Sequence, residues 1–293
     1  MSESPAKTLL EILSAGADYL AARRVDQPRL VCEQLASRLL NCQRLELYLM
    51  YGKALDDKRL AAMRRGVKRV GDGEPVQYVL GQTQFMGHVF KVDRRALIPR
   101  QDTETLVEEV LACTPLWERK TPAIVDVGAG SGCIGISLAL AHPEGKYLAL
   151  DVSEEALALA RENAAALGAA ERIAFERAEL ADAVEPEHCD AVVANPPYVA
   201  TPDYEKLPDP ILKHEPRLAL DGGPDGLAVM EQLVQDAAIA LKPGGFLFVE
   251  IGHDQAARVT EFLQDAGFED VKVRQDLGRR DRVVSGRIPA GAC

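Results

Sequence analysis

The sequence predicts an α/β protein in which a mostly parallel sheet of seven strands, with helices on both faces, follows a small helical bundle and a β-hairpin linker. Three observations predict it. Apolar residues recur at helical spacing from Lys7 to about Val70, residues 71 to 100 change to glycine, proline and short alternating runs, and strand and helix patterns alternate after Pro122. With 293 residues, 47% of them hydrophobic, the chain is long enough for one large domain and one small one.

In the first region Leu9, Leu10, Leu13 and Leu20 are expected on one helix face, and Asp26 with Pro28 marks the break before a second helix carrying Leu30, Leu35, Leu39 and Leu40. Arg44 to Met50 and Asp56 to Val70 complete a bundle whose short amphipathic helices must bury their faces against one another. This gives an N-terminal helical domain over 1–74. Residues 75–100 read as the hairpin linker, with alternating apolar positions in Gln77-Tyr-Val-Leu80 and His88-Val-Phe-Lys-Val92. In Leu97-Ile-Pro-Arg-Gln-Asp-Thr-Glu104, Pro99 stops a strand, and Asp102 or Thr103 caps a helix running to about Leu111.

The third region, 101–293, holds the alternating pattern. Strands are expected at Ala123–Val127, Lys146–Asp151, Arg172–Arg177, Ala191–Ala194, Phe246–Ile251, Val271–Arg274 and Arg282–Ser285. Helices are expected at Cys133–Ala141, Glu154–Leu167, Leu227–Leu241 and Gln255–Ala266, with Lys242-Pro-Gly-Gly245 as a helix-ending turn.

The net charge of -11 is unevenly spread: residues 1 to 100 contain 17 Lys/Arg and 11 Asp/Glu, leaving +6, whereas the remainder contains 17 and 34, leaving -17. An acidic sheet region argues against a nucleic-acid substrate, which calls for a basic groove. The six cysteines (Cys32, Cys42, Cys113, Cys133, Cys189, Cys293) show neither a CxxC pair nor zinc-ligand spacing. The N-terminus lacks the charged and apolar blocks of a signal peptide, and no apolar run approaches the roughly 18 residues that span a bilayer. A cytoplasmic protein with reduced thiols, and no membrane partner, is expected.

Asp126-Val127-Gly128-Ala129-Gly130-Ser131-Gly132 follows the first strand of the alternating region and opens a helix, so its glycines stand where backbone must approach a ligand closely. A dinucleotide fingerprint would need glycine at Cys133; the pattern is GxGxG with an acid two residues ahead, which points to S-adenosyl-L-methionine. Asp151, at the end of the next strand, suits a carboxylate accepting from two ribose hydroxyls, although it could serve only as a cap for the helix after Ser153. Glu179 and Leu180, beyond the third strand, could take an adenine amino group and cover the ring, or be ordinary surface residues.

Asn195-Pro196-Pro197-Tyr198 follows the strand Asp190–Ala194 and points to methylation of a planar NH2 group. The lone pair of such a nitrogen is delocalised until acceptors hold its hydrogens. The Asn195 side-chain carbonyl and the Pro196 backbone carbonyl can supply two acceptors, and Tyr198 can lie against the flat group. A strand followed by a proline turn is the alternative for these four residues alone; the upstream glycine loop disfavours it.

With the glycine loop, Asp151 and Asn-Pro-Pro-Tyr in order on successive strands, the chain resembles the Rossmann-like class I methyltransferases that modify exocyclic or amide nitrogen. The helical N-terminus, Leu97-Ile-Pro-Arg, His214-Glu-Pro-Arg-Leu-Ala-Leu-Asp-Gly-Gly223 and Asp276-Leu-Gly-Arg-Arg-Asp-Arg-Val-Val284 narrow the resemblance to the bacterial peptide chain release factor glutamine N5-methyltransferases, over nearly the whole chain. The resemblance implies methylation of the glutamine in the Gly-Gly-Gln tripeptide of release factors, with S-adenosyl-L-homocysteine as product and with 1–74 recognising the protein substrate. It implies that Asp126 to Gly130, Asp151, Glu179, Leu180 and Asn195 hold the cofactor and that Asn195 to Tyr198 hold the glutamine amide. Asn195, Pro196 and Tyr198 are then the catalytic residues, acting by in-line displacement without metal or covalent enzyme intermediate. Leu180 stands where relatives carry an aromatic ring, Glu179 where aspartate is frequent, and Gln101 where proline is common. The rivals are a glutamine methyltransferase of a large-subunit ribosomal protein, an adenine N6 methyltransferase of nucleic acid, and a binding module or NAD-linked enzyme on the same sheet.

Overall fold

The computed structural model describes residues 7–291 and divides into two compact units. One comprises the described residues up to Gly81 together with 209–214; the other comprises 82–208 and the chain from Glu215 onward. In the first unit the helices Leu9–Ala21, Pro28–Leu40 and Asp57–Gly71 pack around Leu9, Leu13, Leu20, Cys32, Leu47 and Met63. Thr8 starts the first helix with a capping box: its hydroxyl accepts from the Glu11 N–H at 3.3 Å, while the Glu11 carboxylate accepts from the Thr8 N–H at 2.8 Å.

Two readings of this region need correction. Leu10 is 43% exposed, because neighbours in sequence stand about 100° apart on a helix and Leu9 occupies the inward position. Gln77 to Leu80 is not a hairpin strand but part of the helix Val76–Leu80, with Pro75 at its N-cap. Alternation over four residues is too short to distinguish the two periods, and proline pre-sets a helix start.

In the second unit the hairpin consists of β1 (Gln82–Phe85) and β2 (His88–Lys91), in register Gln82 to Lys91. The seven-stranded sheet is built from β3 (Ala123–Val127), β4 (Lys146–Asp151), β5 (Ile173–Arg177), β6 (Cys189–Ala194), β7 (Leu241–Glu250), β8 (Glu269–Gln275) and β9 (Asp281–Arg287). Their order is β5-β4-β3-β6-β7-β9-β8, with β9 antiparallel to both its neighbours and the remaining pairs parallel. Successive residues of a strand face opposite sides, and here Ile124 joins a core with Ile136 and Leu138 while Val125 joins another with Leu233 and Leu247. Helices therefore cover both faces.

Lys242 to Gly245 is not a separate turn: β7 begins at Leu241, immediately after the helix Ala228–Ala240. The glycine is used inside the strand, where Gly244 at φ 73° donates to Ile288 O and the pairing register with β6 shifts. Among the described residues no helix is long and apolar enough to cross a membrane, and the five described cysteines are free thiols. Cys293 lies outside the described residues.

Strand order places the site. From β3 the chain winds outward through β4 and β5, then returns to add β6 on the other side of β3. The carboxyl ends of β3 and β6 meet at that reversal, with Val127 opposite Ala194, and open sheets of this kind leave a crevice there for a ligand.

Candidate active site

A cavity of about 450 Å³ lies over the ends of β3, β4 and β6, within the range of roughly 300–1,000 Å³ for small-molecule sites. Val127, Gly128, Ala129 and Gly130 line it from β3, Asp151 from β4, Glu179 and Leu180 from beyond β5, and Asn195, Pro196 and Pro197 from beyond β6. Residues spread over 71 positions of sequence thus share one wall because three parallel strands end side by side.

The glycine loop is shaped to admit a ligand. Gly128 and Gly130 have φ of 71° and 56°, and a Cβ built on Gly128 would meet only the Asn195 carbonyl, at 3.9 Å. A side chain there would be strained and would fill the space in front of the loop.

Asp151 supports the loop from the next strand: Oδ2 accepts the Gly130 N–H at 2.8 Å and Oδ1 accepts the Ser153 N–H at 2.9 Å. The helix cap before Glu154 is Ser153, whose hydroxyl accepts from Ala156. Asp151 is thus free of the capping role and keeps lone pairs for hydroxyl donors on the cavity side. Burial raises its carboxyl pKa, opposed by the two backbone donors.

Asp126 and Tyr198 stand behind the cavity rather than on its wall. Asp126 Oδ2 accepts the Gly135 N–H at 2.8 Å, which ties β3 to the helix Cys133–Ala141, while Oδ1 is buried without a partner. Burial pushes this carboxyl up to about 7, with the Asp151 charge adding to the shift. The Tyr198 hydroxyl donates to Glu250 Oε1 at 3.1 Å, and burial followed by the Glu250 charge pushes its pKa up. The Asn195 amide Nδ2 donates to Thr103 Oγ1 at 3.1 Å.

The loop carrying Asn195 to Tyr198 is clamped on its far side. Val199 N–H donates to Leu220 O and Gly222 N–H to Val199 O, so the segment 220–223 runs alongside. A Cβ on Gly222 would fall 2.5 Å from the Pro197 carbonyl oxygen, an approach only glycine allows. Gln255 Nε2 donates to the Tyr198 carbonyl at 3.0 Å.

Sequence reasoning missed part of the lining. Ala96, Leu97 and Ile98 line the cavity, as do Leu218 and Ala219, and the two segments are joined by Arg100, which bonds both carboxylate oxygens of Glu215 at 2.6 and 2.7 Å. Glu215 is only 6% exposed. A buried acid paired with arginine leaves no periodic signal; the available clue was the pair of Pro-Arg segments, Ile98-Pro-Arg and Glu215-Pro-Arg. Thr103 was expected only as a cap; it occupies the N-cap position but makes no capping hydrogen bond, and its hydroxyl is turned to the site.

These residues fit an adenosyl methyl donor: a glycine cradle with open space, a carboxylate with unused lone pairs at the strand end, and a mostly apolar wall. The chain matches the methyltransferase small domain over residues 103–276 and the PrmC N-terminal domain over residues 11–81. A solved methyltransferase from Pyrococcus furiosus, 16% identical, superposes with a TM-score of 0.51 over 76% of this chain and 97% of its own, a likeness of fold. Release factor glutamine methyltransferases are far nearer in sequence. That of Geobacter sulfurreducens is 40% identical over 98% of this chain and all of its own length, and that of Chlorobaculum tepidum is 40% identical over 97% and 99%. With identity sustained through both the helical N-terminus and the sheet unit, the chain belongs to the release factor glutamine methyltransferase family.

Proposed function

We propose that the protein transfers a methyl group from S-adenosyl-L-methionine to the side-chain amide nitrogen (N5) of the glutamine in the Gly-Gly-Gln tripeptide of peptide chain release factors. The observation that carries this reading is the single cavity shared by the glycine loop and Asn195-Pro196-Pro197, at the meeting ends of β3 and β6. The names of the relatives support the choice of protein glutamine as acceptor.

Asp151 is assigned the ribose hydroxyls, Val127 to Gly130 the backbone cradle, and Glu179 with Leu180 the adenine ring, while Asp126 holds the loop from behind. When bound, S-adenosyl-L-methionine supplies an electrophilic methyl group. Asn195 Oδ1 and the Pro196 carbonyl accept the two amide hydrogens of the substrate, which fixes the nitrogen in place and stabilises the positive charge it gains. Tyr198 stands behind the cavity, not against the amide as the sequence suggested, and its hydroxyl bond to Glu250 anchors the loop that carries Asn195 and Pro196. The N-terminal helices, matched by the PrmC N-terminal domain, are assigned recognition of the release factor, and a cytoplasmic setting follows from that substrate.

The test is incubation with labelled methyl donor and, in parallel, a release factor, its Gln→Ala tripeptide variant, a large-subunit ribosomal protein and DNA. Label is expected in the intact release factor alone. Label confined to ribosomal protein or to DNA refutes the assignment.

A further inference from the structure

One side chain pairs with both backbone polar groups of Lys91, the last residue of β2. Asn163 Oδ1 accepts the Lys91 N–H at 2.7 Å, while Asn163 Nδ2 donates to the Lys91 carbonyl at 3.1 Å and to the Ser131 carbonyl at 2.9 Å. A backbone N–H only donates and a carbonyl only accepts, so these three partners leave the amide a single orientation. Asn163 is 1% exposed. Its carbonyl and both protons of its NH2 are therefore spent inside the protein, on two segments far apart in sequence.

Both segments lead to the cavity. Ser131 lines it together with the glycines that precede it, and Ala96, Leu97 and Ile98 line it a few residues after Lys91. Asn163 itself is not on the wall. It stands on the helix Glu154–Leu167 at helical spacing from Ala156 and Leu159, which pack with Ala96, and from Ala160, whose Cβ would lie 3.0 Å from a Cβ on Gly132. One face of this helix thus carries the end of the glycine loop and the linker side by side.

The other polar ties between linker and helix lie at the surface: Glu162 bonds Lys91 Nζ at 2.6 Å and Arg95 Nη1 at 2.8 Å. Exposed ion pairs hold a geometry weakly, because water competes for both partners. Asn163 is the buried tie. With Asp151 holding the Gly130 N–H and Asn163 the Ser131 carbonyl, the loop is fixed at two consecutive residues, once from β4 and once from the helix that follows it.

We propose that Asn163 is a positioning residue for the methyl donor: from behind the cavity it holds the Ser131 carbonyl and the Lys91 backbone together, and so sets the gap between glycine loop and linker into which the donor fits. The inference rests on the functional reading above for the ligand, S-adenosyl-L-methionine, and on the three hydrogen bonds for the placing of the walls.

The test is calorimetric titration of the full chain with S-adenosyl-L-homocysteine, which requires no release factor. Asn163→Ala removes all three bonds, Asn163→Asp keeps an acceptor for the Lys91 N–H but sets an oxygen against the Ser131 carbonyl, and Glu162→Ala removes only the exposed ion pairs. Affinity should fall about 10-fold or more in both Asn163 variants, and less than about 2-fold in Glu162→Ala. A purely structural role would lower the melting temperature and leave the affinity of the folded protein unchanged. The same coupling reads in reverse in the wild type, where binding of S-adenosyl-L-homocysteine should slow solvent exchange of the Lys91 N–H about 10-fold by NMR. Unchanged affinity in Asn163→Ala overturns the proposal, as does an equal loss in Glu162→Ala. Lys91 exchange that ignores the bound product overturns it as well, and that measurement stands even where a variant fails to fold. A wild type that binds no S-adenosyl-L-homocysteine refutes the functional reading and this inference together, whereas binding combined with any of the preceding results refutes the inference alone.

Discussion

Asp151 Oδ2 accepts the Gly130 N–H at 2.8 Å, which fastens the glycine loop of β3 to the end of the neighbouring strand β4. One carboxylate thus shapes the loop and, in the proposed function, receives the ribose. Asp151→Ala should weaken binding of S-adenosyl-L-methionine by about 10- to 100-fold, the effect of losing one or two hydrogen bonds to a charged acceptor. Calorimetric titration measures it, and an unchanged affinity would remove Asp151 from the cofactor site.

Asn195→Ala separates binding from chemistry. The side chain lines the cavity but is tied to Thr103 rather than to the glycine loop, so methyl-donor affinity should fall far less than in Asp151→Ala. Transfer to a release factor should fall about 10²–10³-fold, as for loss of one oriented dipole at a developing charge. Parallel titrations and single-turnover rates distinguish the two; equal losses of donor affinity in the two variants would make Asn195 chiefly a cofactor residue.

Gly222→Ala should disturb the site from outside the cavity. Its Cβ would fall 2.5 Å from the Pro197 carbonyl oxygen, and since the Cβ position is fixed by its own backbone and the oxygen is backbone, one side of the clamp must move. A loss of about 1–3 kcal/mol in stability is expected from forced overpacking, together with a drop in transfer rate. Urea unfolding and a rate assay on the same preparation check both.

The Asp126 carboxyl, pushed up to about 7 by burial, makes stability depend on pH. An aspartate in the unfolded chain titrates near 3.9, so between about pH 4 and 7 the folded protein holds a proton that the unfolded chain has lost. Stability should therefore fall as pH rises through that window and level off above it. Asp126→Asn retains an acceptor for the Gly135 N–H and carries no charge. Its stability relative to the wild type should thus rise by on the order of 2–4 kcal/mol from pH 4 to pH 8. Denaturant unfolding at the two pH values measures the difference, and a difference independent of pH would show that Asp126 titrates normally.

The parallel region was legible because its central strands are buried, so that apolar runs such as Ala123–Val127 and Ala191–Ala194 stand out against the loops between them. Errors fell where local pattern was short or ambiguous. Gln77 to Leu80 alternates over four residues yet forms a helix, and Lys242 to Gly245 has the composition of a turn but enters β7 through the left-handed backbone of Gly244. Residues carrying backbone chemistry, the glycines and Asn195-Pro-Pro-Tyr198, were visible because few other residue types could serve there.

By itself the sequence determined the sheet class and singled out the glycine loop and the tetrapeptide that the fold brings to one cavity, since periodicity and glycine or proline conformation act over a few residues. Only the tertiary structure decided which distant side chains complete the site. The Arg100–Glu215 pair and the Thr103–Asn195 bond connect positions 115 and 92 residues apart. Such partners are chosen by strand order, which brings residues far apart in sequence to the same end of the sheet.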